Sequence, residues 1–106
     1  VSLTESSPWI RRAIVEANKL GMEATTEAIP LCHLDQASWG GAEIEEDFSR
    51  HQVADLHRSE ESMAKHRKSS RPTAPVCQDC RMLTTCPTTW AAYQMLNGTD
   101  EFHPIA

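Results

Sequence analysis

Three cysteines in a C-x2-C-x5-C run, Cys77, Cys80 and Cys86, and a fourth, Cys32, constrain this chain more than any other feature. Cys32 is set apart from the run by the 44 residues at positions 33–76. A two-residue gap lets Cys77 and Cys80 reach one site without straining the backbone, and Cys86 can return after a short turn. Cys32 can join them only if the fold carries it there, closing a loop of about 54 residues. A centre using all four sulfurs would organise the chain more strongly than its apolar core.

The need for such an organiser follows from composition. The chain has 106 residues, enough for one modest domain. Its hydrophobic share is 40%, below the roughly 45–50% of ordinary globular chains. A small domain with this little apolar content needs disulfides, a metal centre or a partner surface. Fifteen acidic and ten basic residues leave a formal charge of -5, which argues against a general grip on nucleic acid or anionic membrane. No apolar stretch reaches membrane-spanning length, and the opening VSLTESSPW lacks a basic segment followed by an apolar one. The expected setting is cytoplasmic, where thiols stay reduced and serve as metal ligands. By count alone two disulfides, in three pairings, remain open.

The local pattern predicts an α+β arrangement in two parts. Residues 1–42 read as a helix–strand unit, and residues 43–106 as a mainly helical, metal-binding extension forming one compact body with it. Ser7-Pro8 reads as an N-cap followed by proline at the first helical position. Ile10, Ala13, Ile14, Ala17 and Leu20 then form an apolar stripe, with Arg11, Arg12, Glu16 and Lys19 outward and Gly21 as terminator. Met22 to Leu31 reads as a strand, with Cys32 just past its carboxyl end. Residues 33–42, with Trp39-Gly40-Gly41, read as a loop. Glu43 to Lys68 predicts a polar helix on the thin stripe Ile44, Phe48, Leu56 and Met63, its end charges suiting the helix dipole. Pro72 and Pro75 mark a break. Pro87 opens a last helix carrying Trp90, Tyr93 and Leu96 and ended by Asn97-Gly98, and Phe102 and Ile105 in the tail are placed to cover the centre.

Four thiolates can hold a tetrahedral zinc ion or one iron each of a [4Fe-4S] cube. Spacing does not choose between them, although the isolated Cys32 and the five-residue gap are closer to cluster ligation than to two compact zinc pairs. The proline after Cys86 fits a cluster cysteine and a helix start equally well.

The wider context resembles a family. IPLC at Ile29–Cys32, CQDC at Cys77–Cys80, then Cys86, Tyr93, Gly98 and EFHPI at Glu101–Ile105 are similar to the carboxyl-terminal part of radical S-adenosylmethionine enzymes. There the last barrel unit runs into an extension that holds an auxiliary [4Fe-4S] cluster. The resemblance implies Cys32, Cys77, Cys80 and Cys86 as cluster ligands. It also implies an auxiliary cluster module or small subunit that relays electrons, positions substrate or supports the fold. The implied partner is a radical S-adenosylmethionine core protein or an upstream domain, with a peptide or small molecule as substrate. The family's C-x3-C-x2-C motif is absent, as is its glycine-rich cofactor-binding part. The chain is therefore expected not to catalyse alone, and no catalytic residue is assigned. A second resemblance is to WhiB-like regulators, which also join one distant cysteine to C-x2-C-x5-C around a [4Fe-4S] cluster. That one implies a sigma-factor partner. The G-[VI]-W-G-G turn expected after the cysteines is missing, and Trp39-Gly40-Gly41 precedes them instead. The rival from another class is a structural zinc or protein-interaction domain.

Other chemistry-bearing residues receive plainer readings. His33, beside Cys32, reads as a polar loop histidine, with a bond to a cluster sulfur or a zinc-ligand role as the sharper alternative. His51, His57 and His66 form no compact ligand set and read as surface residues. His103 belongs to the tail. Asp79 and Arg81 flank Cys80 and read as solvated, with tuning of a cluster as the alternative. Trp90 and Tyr93 are expected to pack the last helix on the cysteine loop. Arg71, with His66-Arg67-Lys68, reads as a solvated helix end or partner contact.

Overall fold

The computed structural model describes residues 1–42, 52–55, 58–62 and 70–106. Its order is helix α1 (Leu3–Lys19), two 3-10 turns (Leu31–His33 and Gln36–Gly41), strands β1 (Gln52–Asp55) and β2 (Arg58–Ser62), a 3-10 turn (Pro75–Asp79) and helix α2 (Ala91–Asn97). The described chain is mainly helical, with one two-stranded antiparallel ladder. No helix among the described residues is long and apolar enough to cross a membrane.

Helix α1 begins five residues before the expected Pro8. Its N-cap is Ser2, which accepts from the Glu5 amide at 3.1 Å while the Glu5 carboxylate accepts from the Ser2 amide at 3.4 Å. This reciprocal S-x-x-E box satisfies two orphan donors and prevails over Ser7-Pro8. Pro8 then lies inside the helix with an exposed ring, and Ser7 is a buried helical residue. The far end is as expected. Gly21 takes a positive φ of 73°, its amide bonds to Asn18, and the Met22 amide reaches back to Ala17 at 3.0 Å, a Schellman ending that glycine makes without steric cost. The buried face runs Leu3, Ser7 and Ile14 with Ile10 at its edge, whereas Ala13 and Leu20 are exposed. The earlier start extends the inward stripe by Leu3 and Ser7 at the amino end.

The strand expected over Met22–Leu31 does not form. A single parallel bridge joins Thr26 to Ala42, and Ala28, at φ 55°, breaks the extended run. Among the described residues no strand lies beside the segment, and Cys32 lies within a 3-10 turn instead of past a strand end. Trp39-Gly40-Gly41 also forms a 3-10 turn. It docks on residues 24–26: the Thr26 amide donates to the Gly41 carbonyl at 3.1 Å.

The helix expected over Glu43–Lys68 is replaced, where described, by β1 and β2, paired Gln52 with Ser62 and Asp55 with Arg58. The apolar positions there are too sparse to give a helix a face to bury, so main-chain pairing takes their place. The rest of that expectation, including His51, His57 and His66, lies outside the described residues. Helix α2 starts at Ala91 with Trp90 as N-cap, four residues after Pro87, because Thr88 turns the chain at φ 53° first. It ends at Gly98, as expected.

Two small apolar clusters form the core. One joins Ile14, Leu31, Leu34 and Ala42, with Trp39 and Cys86 at its edge. The other joins Leu3, Ala74 and Phe102, with Cys32, Cys77 and Tyr93 at its edge. Cys32, Cys77 and Cys86 thus lie along the rims of these clusters.

Candidate metal centre

Cys32, Cys77, Cys80 and Cys86 all line one cavity, which encloses about 380 Å³ of empty space, part of it open to solvent. All four are free thiols and half-buried, so neither of the disulfides allowed by count is present. The fold brings Cys32 to the same cavity as the other three. Helix α1 and the Trp39 turn hold the 3-10 turn carrying Cys32, and the Pro75–Asp79 turn presents Cys77 and Cys80.

Backbone amides point at three of the sulfurs. Cys80 accepts from Met82 at 3.4 Å and from Ile105 at 3.3 Å. Cys86 accepts from Leu31 and Thr88, each at 3.4 Å. Cys32 accepts from His103 at 3.5 Å. Such N–H···S contacts stabilise negative charge on sulfur, which is the charge a metal-bound thiolate carries. Thr88 is held at φ 53°, rare for a β-branched residue. Its hydroxyl donates to the Arg71 carbonyl at 3.0 Å, locking the turn that aims its amide at Cys86. Strain of this kind costs about 1–3 kcal/mol and persists where the surroundings impose it.

Burial pushes the Cys32, Cys77 and Cys86 thiols upward, and the nearby sulfurs add to it; the amide donors act in the opposite direction. Metal binding here must therefore release protons from thiols that would otherwise stay neutral. Among the described residues no three cysteine, histidine or carboxylate side chains are spaced to hold a single metal ion.

The remaining predicted residues fall into place around the cavity. His33 is buried, and no bond joins it to a sulfur. Its Nδ1 meets the Ser7 hydroxyl at 2.7 Å, and its Nε2 meets the Glu101 carbonyl at 2.6 Å, so Nε2 carries the proton. Its own carbonyl accepts from Arg11 at 3.1 Å. The ring is a brace joining α1, the Cys32 turn and the tail. Phe102, His103 and Ile105 line the cavity, so the tail does cover it. Asp79 and Arg81 are exposed. Tyr93 packs against the second apolar cluster; its hydroxyl accepts from the Leu3 amide at 2.7 Å and donates to Glu101.

Arg71 corrects the solvated reading. It is buried, donates to Glu27 at 3.0 Å and stacks 4.0 Å from the centre of the Trp90 ring. His66, Arg67 and Lys68 lie outside the described residues.

Sequence reasoning missed the amide donors and the Ser7–His33–Glu101 brace. Amides leave no side-chain signature, and the only pointer to them was the EFHPI tail. The S-x-x-E box at Ser2–Glu5 was a readable signal for the true start of α1. No protein-family model, curated protein or solved structure matches the chain.

Proposed function

We propose that this chain is an iron–sulfur module in which Cys32, Cys77, Cys80 and Cys86 hold one [4Fe-4S] cluster and which has no catalytic activity by itself. The observation that carries the reading is the four thiols around one cavity, three of them served by backbone amides. When bound, such a cluster supplies one-electron transfer and a centre that responds to soft ligands and oxidants. The chain's own part is to hold and orient the thiols, offset the charge they carry as thiolates with amide dipoles, and cover the centre with Phe102 and Ile105. A structural zinc site is the alternative, and the isolated Cys32 with the five-residue gap before Cys86 is closer to cluster ligation than to two compact zinc pairs.

Two settings fit such a module. One is an auxiliary module beside a radical S-adenosylmethionine enzyme, relaying electrons, positioning substrate or supporting the fold. The other is a small WhiB-like regulator that works through a sigma factor. The second is favoured by a specific observation: residues 22–31 offer no strand to continue a barrel sheet, and the tail closes back on α1 through Glu101. Phe102, His103 and Ile105 of the tail line the cavity with the four cysteines.

Anaerobic purification with iron, sulfide and zinc analysis tests the centre. About four irons and four sulfides per chain support it, and zinc without sulfide overturns it. Cys32→Ala and Cys80→Ala should each abolish cluster loading; full loading in either variant contradicts the four-ligand grouping. Co-purification then separates the settings: a sigma factor supports the regulator, and a large S-adenosylmethionine-binding protein supports the auxiliary module.

A further inference from the structure

Two non-glycine residues take a positive φ among the described residues, Ala28 at 55° and Thr88 at 53°, and both are buried. Backbone of this kind persists only where the surroundings impose it. Both positions adjoin contacts of Arg71. Ala28 follows Glu27, whose carboxylate accepts from the Arg71 guanidinium at 3.0 Å. Thr88 donates its hydroxyl to the Arg71 carbonyl at 3.0 Å. It lies two residues before Trp90, whose ring centre is 4.0 Å from the same guanidinium. The two segments share a second property: each delivers an amide to one sulfur. Leu31, three residues after Ala28, donates to Cys86 at 3.4 Å, and Thr88 donates to it at 3.4 Å. Burial pushes the Cys86 thiol up, and these two amides act against it.

We propose that Arg71 is the positioning residue of the Cys86 corner: by tying Glu27 on one side and Thr88 with Trp90 on the other, it holds in place both amides that bond the Cys86 sulfur. The purpose assigned to it, settling a thiolate ligand, rests on the four-cysteine cluster reading; the staple itself is a matter of geometry within the chain. Arginine suits the place. Its planar guanidinium can lay one face on an aromatic ring while an N–H at its edge pairs with a carboxylate. The path from Glu27 to the Leu31 amide has little slack, because Pro30 has a fixed φ and Ala28, Pro30 and Leu31 are all buried. The path from the Arg71 carbonyl to the Thr88 amide stays within one residue. Contacts of this kind orient a ligand without touching what it binds. Cys80 takes its amides from Met82 and Ile105, which belong to neither segment. The effect of Arg71 is therefore specific to Cys86.

The test is hydrogen–deuterium exchange resolved to single amides by mass spectrometry, on the full oxygen-free chain as purified, with iron and sulfide measured on the same sample. Arg71→Gln should speed exchange at the Leu31 and Thr88 amides at least several-fold and leave the Met82 and Ile105 amides near their wild-type rates. Glu27→Gln, a milder change at an exposed side chain, should speed the Leu31 amide in the same selective way by a smaller factor. Equal acceleration at all four amides is the mark of a residue that only stabilises the fold, and it overturns the proposal. Unchanged exchange at Leu31 and Thr88 overturns it as well. Where Arg71→Gln does not fold, Glu27→Gln decides: selective acceleration at Leu31 supports the staple, and its absence overturns it. The metal analysis keeps the two ideas apart. A sample without iron and sulfide that shows the selective pattern defeats the cluster reading and supports the staple. A loaded sample without the pattern defeats the staple alone.

Discussion

Ile105 clasps the loop around Cys80 at two points: its amide donates to the Cys80 sulfur at 3.3 Å, and its carbonyl accepts from the Arg81 amide at 2.8 Å. A residue near the chain's end thereby sets the electrostatic surroundings of a sulfur 25 positions earlier. Amide donors favour the more negative, reduced state of a thiolate-ligated cluster. Ile105→Pro removes the donor, whereas Ile105→Ala keeps it and trims only the side chain. The loaded Ile105→Pro variant should show a more negative midpoint potential than Ile105→Ala in a redox titration. Equal potentials would remove the amide from the account.

Glu101 predicts an acid limit. Its carboxylate accepts from the Thr4 amide at 2.7 Å and from the Tyr93 hydroxyl, and these bonds lower its pKa from 4.5 to about 2. Above 4.5 the carboxylate is ionised in both folded and unfolded chains, and its full contribution is present. As pH falls from 4.5 toward about 2 the unfolded chain takes up a proton that the folded chain refuses, so stability declines across that window. Glu101→Gln should be less stable at neutral pH and lose less between pH 4.5 and 2. Denaturant melts at a series of pH values read this out, and parallel curves for the two proteins would contradict it.

Gly41 is required for space. A β-carbon there would lie 2.3 Å from the Ala24 carbonyl oxygen, a backbone atom that cannot swing aside. Gly41→Ala should destabilise the fold by about 1–3 kcal/mol, the usual cost of overpacking. Gly40→Ala, with open space at its β-carbon, is the control and should change stability far less. Urea denaturation of both distinguishes close approach from a general effect of losing glycine.

Ser7 and His33 form a buried polar pair 2.7 Å apart. Ser7→Ala leaves the imidazole Nδ1 without that partner and should cost about 1–3 kcal/mol. Ser6→Ala removes only a long 3.4 Å bond to the Leu3 carbonyl and should be milder. Comparable losses in the two variants would argue against the brace.

The legible parts of this molecule are those whose cause lies within a few residues. Gly21 and Gly98 end helices because each supplies a positive φ where the chain must turn. The C-x2-C-x5-C run marked three cavity-lining thiols before any fold was known. The failures are equally particular. Thr25, Thr26 and Pro30 favour extended backbone, but a strand needs a neighbour, and among the described residues that segment has one bridge, to Ala42. Ser7-Pro8 has the form of a helix start, yet Ser2 and Glu5 complete a two-way cap that Ser7 cannot match. Arg71 belongs to a polar stretch and is nevertheless buried, because Glu27 and the Trp90 ring, distant in sequence, meet it.

By itself the sequence determined which atoms are available: four thiols, their local spacing, and the helix ends set by nearby caps and glycines. Tertiary structure alone decided that Cys32 faces the same cavity as the other three, and which sulfurs an amide reaches. The physical reason is range. A cap or turn is settled among neighbours a few bonds apart, while the contacts from Leu31 to Cys86 and from His103 to Cys32 join positions 55 and 71 residues apart and exist only once the two apolar clusters have packed.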